Sequence, residues 1–237
     1  MSINTDFLVK LQDALTLYLT NGARSNEKLK PVHAFIANTL QAKLNIPDIQ
    51  FFSLRPGQRG GEKYIPGRYM EKSVDVAICK GRKVLGAVGF KFVMSNYKQN
   101  SNNYFENMLG ETANIRCNHI PYFQILVLLK ELPYYRNDGT IAHWETVDQH
   151  NLDKYIKLSQ DDSDVFFHTP TKTLLYIVKL PPIAPNSVRT KQQYQTVYAR
   201  PILTVDNTFN DYFQKGVIVN DLEVFIDKIC HYIQFVR

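Results

Sequence analysis

Apolar residues recur at helical spacing near the start of the chain, where Phe7, Leu11, Leu15 and Leu19 fall on one face of Asp6 to Leu19. That spacing predicts a helix opening after the cap candidates Asn4 and Thr5. A second helix is predicted from Pro31 to Leu44, with Pro31 in the first turn, where its missing N–H costs nothing. Ile49 to Leu54 has strand character. The pattern then breaks in RPGQRGGEKYIPGRYMEK, Arg55 to Lys72, whose two prolines and four glycines predict a loop with few regular backbone bonds. Alternating positions return as two strands around KGRK, followed by a polar segment and a helix through Tyr104 to Ile115. Phe123 to Leu129 and Leu174 to Leu180 are near-continuous apolar runs, which suit strands buried on both faces. Leu152 to Leu158 is expected to be helical, and Asp221 to Phe235 to form a closing helix capped by Asn220. Helices flanking a mixed sheet make one α/β domain over residues 1–237.

Composition narrows the classes. A chain of 237 residues, 44% hydrophobic, can bury one sizeable core, and 21% charged residues with 12% aromatics argue for a folded protein. The apolar stretches are too short to span a bilayer, and the N-terminus lacks the pattern of a secretory signal, so a cytoplasmic protein is expected. Cys79, Cys117 and Cys230 have no metal-ligand spacing and read as free thiols. No GxSxG, Walker A, CxxC or HExxH pattern occurs. The six histidines, His33, His119, His143, His150, His168 and His231, are spaced unlike a zinc site and read as surface or core residues. The net charge of +6 is compatible with a polyanionic partner without requiring one.

The chemistry concentrates around the hairpin. In KSVDVAIC, Asp75 shares a strand face with Ala77 and Cys79; in VLGAVGFKF, Leu85, Ala87, Gly89 and Lys91 share another. A three-residue connection, Gly81-Arg82-Lys83, would set Asp75 opposite Gly89 and bring Asp75 and Lys91 onto one surface. A two-residue connection would set Asp75 opposite Val88 and separate them. The first register lines that surface with Ala77, Ala87 and Gly89, which leaves room for a phosphate and an ion. The same register also describes a plain Asp–Lys pair on a solvated face.

After Lys91 come Ser95, Asn96, Lys98, Gln99, Asn100, Ser101, Asn102 and Asn103, interleaved with Tyr97. Amides and hydroxyls at that density match phosphate oxygens and base edges, and they also suit a solvated loop with a helix cap. The following helix carries Glu106 and Glu111, five residues apart and so about 140° apart around its axis. Glu106 shares its surface with Asn102, Asn103 and Gly110, whereas Glu111 lies nearer Met108 and Ile115. The polar surface is expected to face an ion, which ranks Glu106 ahead of Glu111. Glu62 and Glu71, flanking the basic loop, stand next in line. Within that loop Arg55, Arg59, Lys63 and Arg68, with Gln58, Tyr64 and Tyr69, make a mobile cationic segment suited to clamp DNA, or an ordinary exposed loop.

Asp75, Gly89-Phe90-Lys91 and the ensuing helix resemble the PD-(D/E)xK superfamily, which includes most type II restriction endonucleases. The resemblance covers about residues 70–130 as a catalytic core. It implies a restriction-endonuclease-like mixed β-sheet flanked by helices, and Mg²⁺-dependent hydrolysis of phosphodiester bonds in double-stranded DNA at a short specific sequence. It further implies that Asp75 and an acidic residue hold Mg²⁺ while Lys91 positions the attacking water. Gly89 stands where that family has Glu or Asp. Some of its members take the missing acid from the helix after the lysine, and Glu106, fifteen positions on, has a similar spacing. Asp75, Lys91, Glu106 and Glu111 are therefore the candidate catalytic residues, with Asp75 and Glu106 as metal ligands. Arg55, Arg59, Lys63, Arg68, Asn96, Lys98, Gln99, Asn100, Asn102 and Asn103 are the candidate DNA contacts. A C2 homodimer acting on a palindromic site is expected, because one site per chain must cut two strands. Gly89 equally supports a nuclease-like fold that has lost catalysis and only binds DNA.

Overall fold

A computed structural model describes residues 2–58, 61–184 and 187–235. In chain order the elements are α1 (Ile3–Asn21), α2 (Lys30–Leu44), β1 (Ile49–Ser53), β2 (Lys63–Ile65), β3 (Lys72–Val74), β4 (Val76–Lys80) and β5 (Lys83–Val93). Then come α3 (Tyr97–Arg116), β6 (Tyr122–Leu129), β7 (Glu131–Tyr135), β8 (Ile141–Thr146), α4 (Gln149–Leu158) and β9 (Lys172–Lys179). The chain continues with α5 (Lys191–Val197), β10 (Thr204–Val205), β11 (Val217–Val219) and α6 (Leu222–Phe235). The expected α/β class is what the chain adopts.

The main sheet runs β1-β4-β5-β6-β9-β10, with β11 also paired to β9. β1, β4 and β5 form an antiparallel meander, while β5, β6 and β9 are parallel. β6 is buried at every position and β9 nearly so, which is why both read as unbroken apolar runs. Ring contacts between Phe7 and Tyr176, and between Phe123 and Phe225, seat α1 and α6 on one face of the sheet, beside α2. The opposite face carries Tyr122, Gln124 and Leu126 and is covered by α3 and α4, which meet through Phe105 and Tyr155. Asn4, in the first turn of α1, accepts the Leu222 and Glu223 N–H groups and so caps α6. Asp221 rather than Asn220 supplies that helix's own cap, by accepting the Val224 N–H.

Three expectations change. The hairpin between β4 and β5 turns through two residues, since Lys80 pairs with Lys83, yet Ala77 still faces Ala87 and Val76 faces Val88. A bulge reconciles the two facts: Cys79 pairs with Val84 and Ile78 with Gly86, leaving Leu85 as the extra residue. The bulge also turns Leu85 into the main core and Val84 toward the smaller cluster around Ala77, Cys79, Ala87 and Tyr122, the reverse of simple alternation. Second, Arg55 to Lys72 is not a mobile loop throughout. β2 and β3 pair within and beside it, and Asn114 on α3 binds Tyr69 N–H, Met70 N–H and Met70 C=O, pinning the segment. Third, the amide-rich stretch forms the first turns of α3 instead of a loop. Its start is fixed by the buried Glu145 carboxylate, which accepts the Tyr97 and Lys98 N–H groups.

Candidate functional site

Beyond Val76↔Val88 the chain bends out of the ladder at Asp75, and the side chain takes the place of a backbone partner: its Oδ2 accepts the Phe90 N–H at 2.6 Å. Asp75 thereby sits at the margin of the sheet, within reach of both helical layers. On the α3 side it lines a cavity of about 180 Å³ together with Gly89, Lys91, Glu111, Tyr122 and Gln124. The expected sharing of one surface by Asp75 and Lys91 is present, although the turn that produces it differs. Lys91 is exposed, with Nζ 4.7 Å from the centre of the Tyr104 ring.

Gly89 is required by its surroundings. A Cβ built there would overlap the Tyr122 hydroxyl oxygen and lie 2.8 Å from Gln124 Oε1. The space that an acidic side chain would fill is thus occupied by Tyr122, whose hydroxyl donates to Glu111 Oε1 at 2.6 Å. Glu111 also pairs with Lys72 Nζ at 2.9 Å. A carboxylate from α3 is consequently delivered over Gly89 through a phenol.

Of the two helix acids, Glu111 lines this cavity and Glu106, the one expected first, does not. Glu106 is exposed and outside the cavity lining, and its charge acts on Lys154 of α4. Glu111 is on the side of α3 that meets the sheet, because the buried residues Met108, Thr112 and Ile115 define that side. The most polar surface of α3 faces away from this cavity, which is built against the sheet. Tyr122 and Gln124 join the lining without being among the residues expected from the sequence. Gln124, a polar residue inside an otherwise apolar run, was the available signal.

Substituting Gly89→Glu, which would write the family pattern into this chain, is expected to lower stability by about 1–3 kcal/mol through overpacking. Thermal melting of Gly89→Glu against Gly89→Glu/Tyr122→Ala tests it. The second change should recover most of the loss, and no recovery would mean that Tyr122 is not the obstacle.

Burial pushes the Asp75 carboxyl up to about 7, against the pull of the Phe90 N–H, and the negative charge of Glu111 adds to the rise. Lys72 and Lys91 pull the other way, and burial outweighs them. Asp75, Glu111 and Gln124 all bring side-chain oxygens to the lining of this cavity, and oxygen is the ligand type that hard divalent ions take. On the other side of Asp75, His33 of α2 is fully buried, with Nε2 3.7 Å from Asp75 Oδ1, and burial lowers its pKa to about 4. The imidazole is therefore neutral at physiological pH.

The proposed nucleic-acid contacts are dispersed. Arg55 donates to Asn38, and the Lys63 ammonium lies 4.3 Å from the Phe52 ring centre. Arg68 is exposed on the pinned segment beside Tyr69 and Met70, and Arg59 lies outside the described residues. Much of the polarity of α3's first turns is engaged internally. Asn96 Oδ1 accepts the Tyr135 N–H, Gln99 the Tyr134 hydroxyl and Asn102 the Lys154 ammonium. Asn100 donates to the Asn96 carbonyl, and Lys98 lies 3.6 Å from Asp148. Asn103 is exposed. Glu71 is exposed beside β3, and Glu62 accepts the Ser73 hydroxyl.

A larger groove of about 970 Å³ runs along β8 and the segment after β9, past Trp144, Lys179 and Asp206. The carboxylate of Asp206 accepts the Thr208 N–H and hydroxyl there, whereas the smaller cavity gathers Asp75, Glu111 and Lys91 in one lining. Among the described residues no helix is long and apolar enough to cross a membrane. In comparisons with known proteins, the chain matches no family model, no curated protein and no solved structure.

Proposed function

We propose that this protein is a Mg²⁺-dependent endonuclease of the type II restriction kind, hydrolysing phosphodiester bonds in double-stranded DNA as a homodimer. The observation that carries the reading is the meeting of Asp75, Glu111 and Lys91 around one cavity over Gly89. Bound Mg²⁺, held by Asp75 and Glu111, would stabilise charge on the scissile phosphate and acidify a water. Lys91, exposed at the mouth, offers a mobile cation to orient that water or a phosphoryl oxygen. Phe90 N–H fixes the Asp75 carboxylate, and Tyr122 fixes Glu111, so neither acid has to be ordered when substrate arrives. Arg68, Tyr69 and Met70 stand on a segment already held rigid by Asn114, which suits a groove contact.

A supercoiled plasmid incubated with Mg²⁺ or with EDTA tests the activity. Full-length linear product agrees with two sites related by a two-fold axis, and nicked circles alone would count against the dimer. No cleavage, with salt-sensitive duplex binding retained, leaves the reading of a DNA-binding protein without catalysis. Lys91→Ala is expected to abolish cleavage while changing duplex affinity only a few-fold, since one phosphate contact is a small share of the electrostatic total. Cleavage by Lys91→Ala near the unmodified rate removes the lysine from the mechanism.

A further inference from the structure

His33 closes the first turn of α2 beside Val32, Ile36 and Ala37, at a position that packing alone would give to an aliphatic residue. It is fully buried, and neither ring nitrogen has a hydrogen-bond partner among the described residues. An orphaned buried imidazole costs on the order of 1–3 kcal/mol, so its presence needs a cause. Its Nε2 is aimed at Asp75 Oδ1 across 3.7 Å, too far for a hydrogen bond. Glu62, in the segment before β2, completes the group, and one ligand atom from each of the three lies within 4.8 Å of the others. Ser73 on β3 donates to Glu62 Oε2 at 3.2 Å and steadies it beside Asp75.

We infer that His33, Glu62 and Asp75 form a binding site for a divalent transition-metal ion, separate from the cavity containing Glu111. Two donors on an ion about 2.1 Å away lie roughly 3.0–3.6 Å apart, so the His33–Asp75 separation needs only a slight closing to span one. One imidazole with two carboxylates favours Mn²⁺, Co²⁺ or Zn²⁺ over Mg²⁺, which prefers oxygen throughout. The neutral imidazole has a lone pair to offer without losing a proton first. Its two nitrogens belong to the layer of α2, and neither His33 nor Glu62 lines the α3 cavity. Asp75 has two oxygens and belongs to both sites. The carboxylate at the margin of the sheet would then link a structural or regulatory ion on one side to the proposed chemistry on the other.

Co²⁺ is the probe, because its visible absorption reports nitrogen ligation and low coordination number without any turnover. Titration of the DNA-free protein should give saturable binding below about 1 mM, with d–d bands stronger than those of aqueous Co²⁺. Glu62 is exposed, so Glu62→Gln should fold normally and weaken binding at least about 10-fold. His33→Gln, with folding checked by circular dichroism, should lose the intensified bands. Glu111→Gln should leave the intensified bands unchanged, whatever weakly absorbing Co²⁺ it releases from the α3 cavity. The inference falls if Glu62→Gln binds Co²⁺ as the unmodified protein does, if no saturable binding occurs, or if Glu111→Gln alone abolishes it. Because no step of this test reads cleavage, an inactive protein that binds Co²⁺ in this way would refute the proposed nuclease and leave the metal site standing.

Discussion

Asn in place of Asp75 is expected to remove cleavage and, at pH 8, to leave a more stable protein in the absence of divalent ions. The first effect follows from the loss of an anionic ligand. Several kcal/mol of transition-state stabilisation depend on it, and roughly 4 kcal/mol corresponds to about 10³-fold in rate. The second follows from the raised pKa of about 7. Below about pH 4 the carboxyl is protonated in both the folded and the unfolded chain, so it contributes no pH dependence. Between about 4 and 7 the folded protein retains a proton that the unfolded chain has lost, and stability declines as pH rises through that window. Above 7 the full cost of a buried anion is present. The Asp75 side chain keeps 27% of its exposure, which reduces the effect to an order of 1–2 kcal/mol. Denaturant unfolding at pH 4.5 and pH 8 measures it: the gap between the unmodified protein and Asp75→Asn should widen toward pH 8. Mg²⁺ should raise the melting temperature of the unmodified protein only, because an ion that binds just the folded state stabilises it by mass action. Equal pH profiles for the two proteins would show that Asp75 is not strained by burial.

Glu111→Gln is expected to lower cleavage by about 100-fold or more, whereas Glu106→Gln should stay within about 2-fold. The amide preserves the hydrogen bond from Tyr122 and the packing, so the loss reports charge. Glu111 contacts Tyr122 and Lys72 at the cavity, and Glu106 faces solvent near Lys154. Single-turnover rates on a plasmid or oligonucleotide duplex separate the two variants. Strong loss in Glu106→Gln with normal activity in Glu111→Gln would mean that the helix acid is read from the wrong side of α3. Lys72→Met offers a control: with the ion pair gone, Glu111 should bind cation more tightly, not less.

The elements legible in the chain were those whose signal is local. α1, α2 and α6 announce themselves by apolar residues at helical spacing, and β6 and β9 by unbroken apolar runs between punctuating residues. The β7–β8 hairpin, α5 and the short strands β2, β3, β10 and β11 did not, because each is brief and owes its form to a neighbour across the fold. In the site, Asp75 and Lys91 share a surface as expected, but through a two-residue turn and a bulge at Leu85 that together give the register expected of a three-residue turn. That Glu111 and not Glu106 lines the cavity depends on which side of α3 meets the sheet, which no local pattern in the helix reveals. Tyr122 and Gln124 enter the site only through the parallel pairing of β5 with β6, which sets Ala87 beside Tyr122 and Gly89 beside Gln124. His33 and Glu62 become neighbours of Asp75 only through the packing of α2 and the β2–β3 ribbon.

The bulge at Leu85 makes the tip of the hairpin a place where the chain can change length without moving the site. Deleting Leu85 would leave Cys79 opposite Val84 and Ile78 opposite Gly86, as now, at the cost of one buried leucine. An extra residue beside Gly81-Arg82 would likewise be absorbed in the turn. A slip that keeps the length is different: setting Leu85 opposite Ile78 would pair Gly86 with Ala77 and carry Lys91 to the other face of the sheet. Relatives of this chain should therefore vary by single insertions and deletions between Lys80 and Gly86, while the spacing from Gly86 to Lys91 stays fixed.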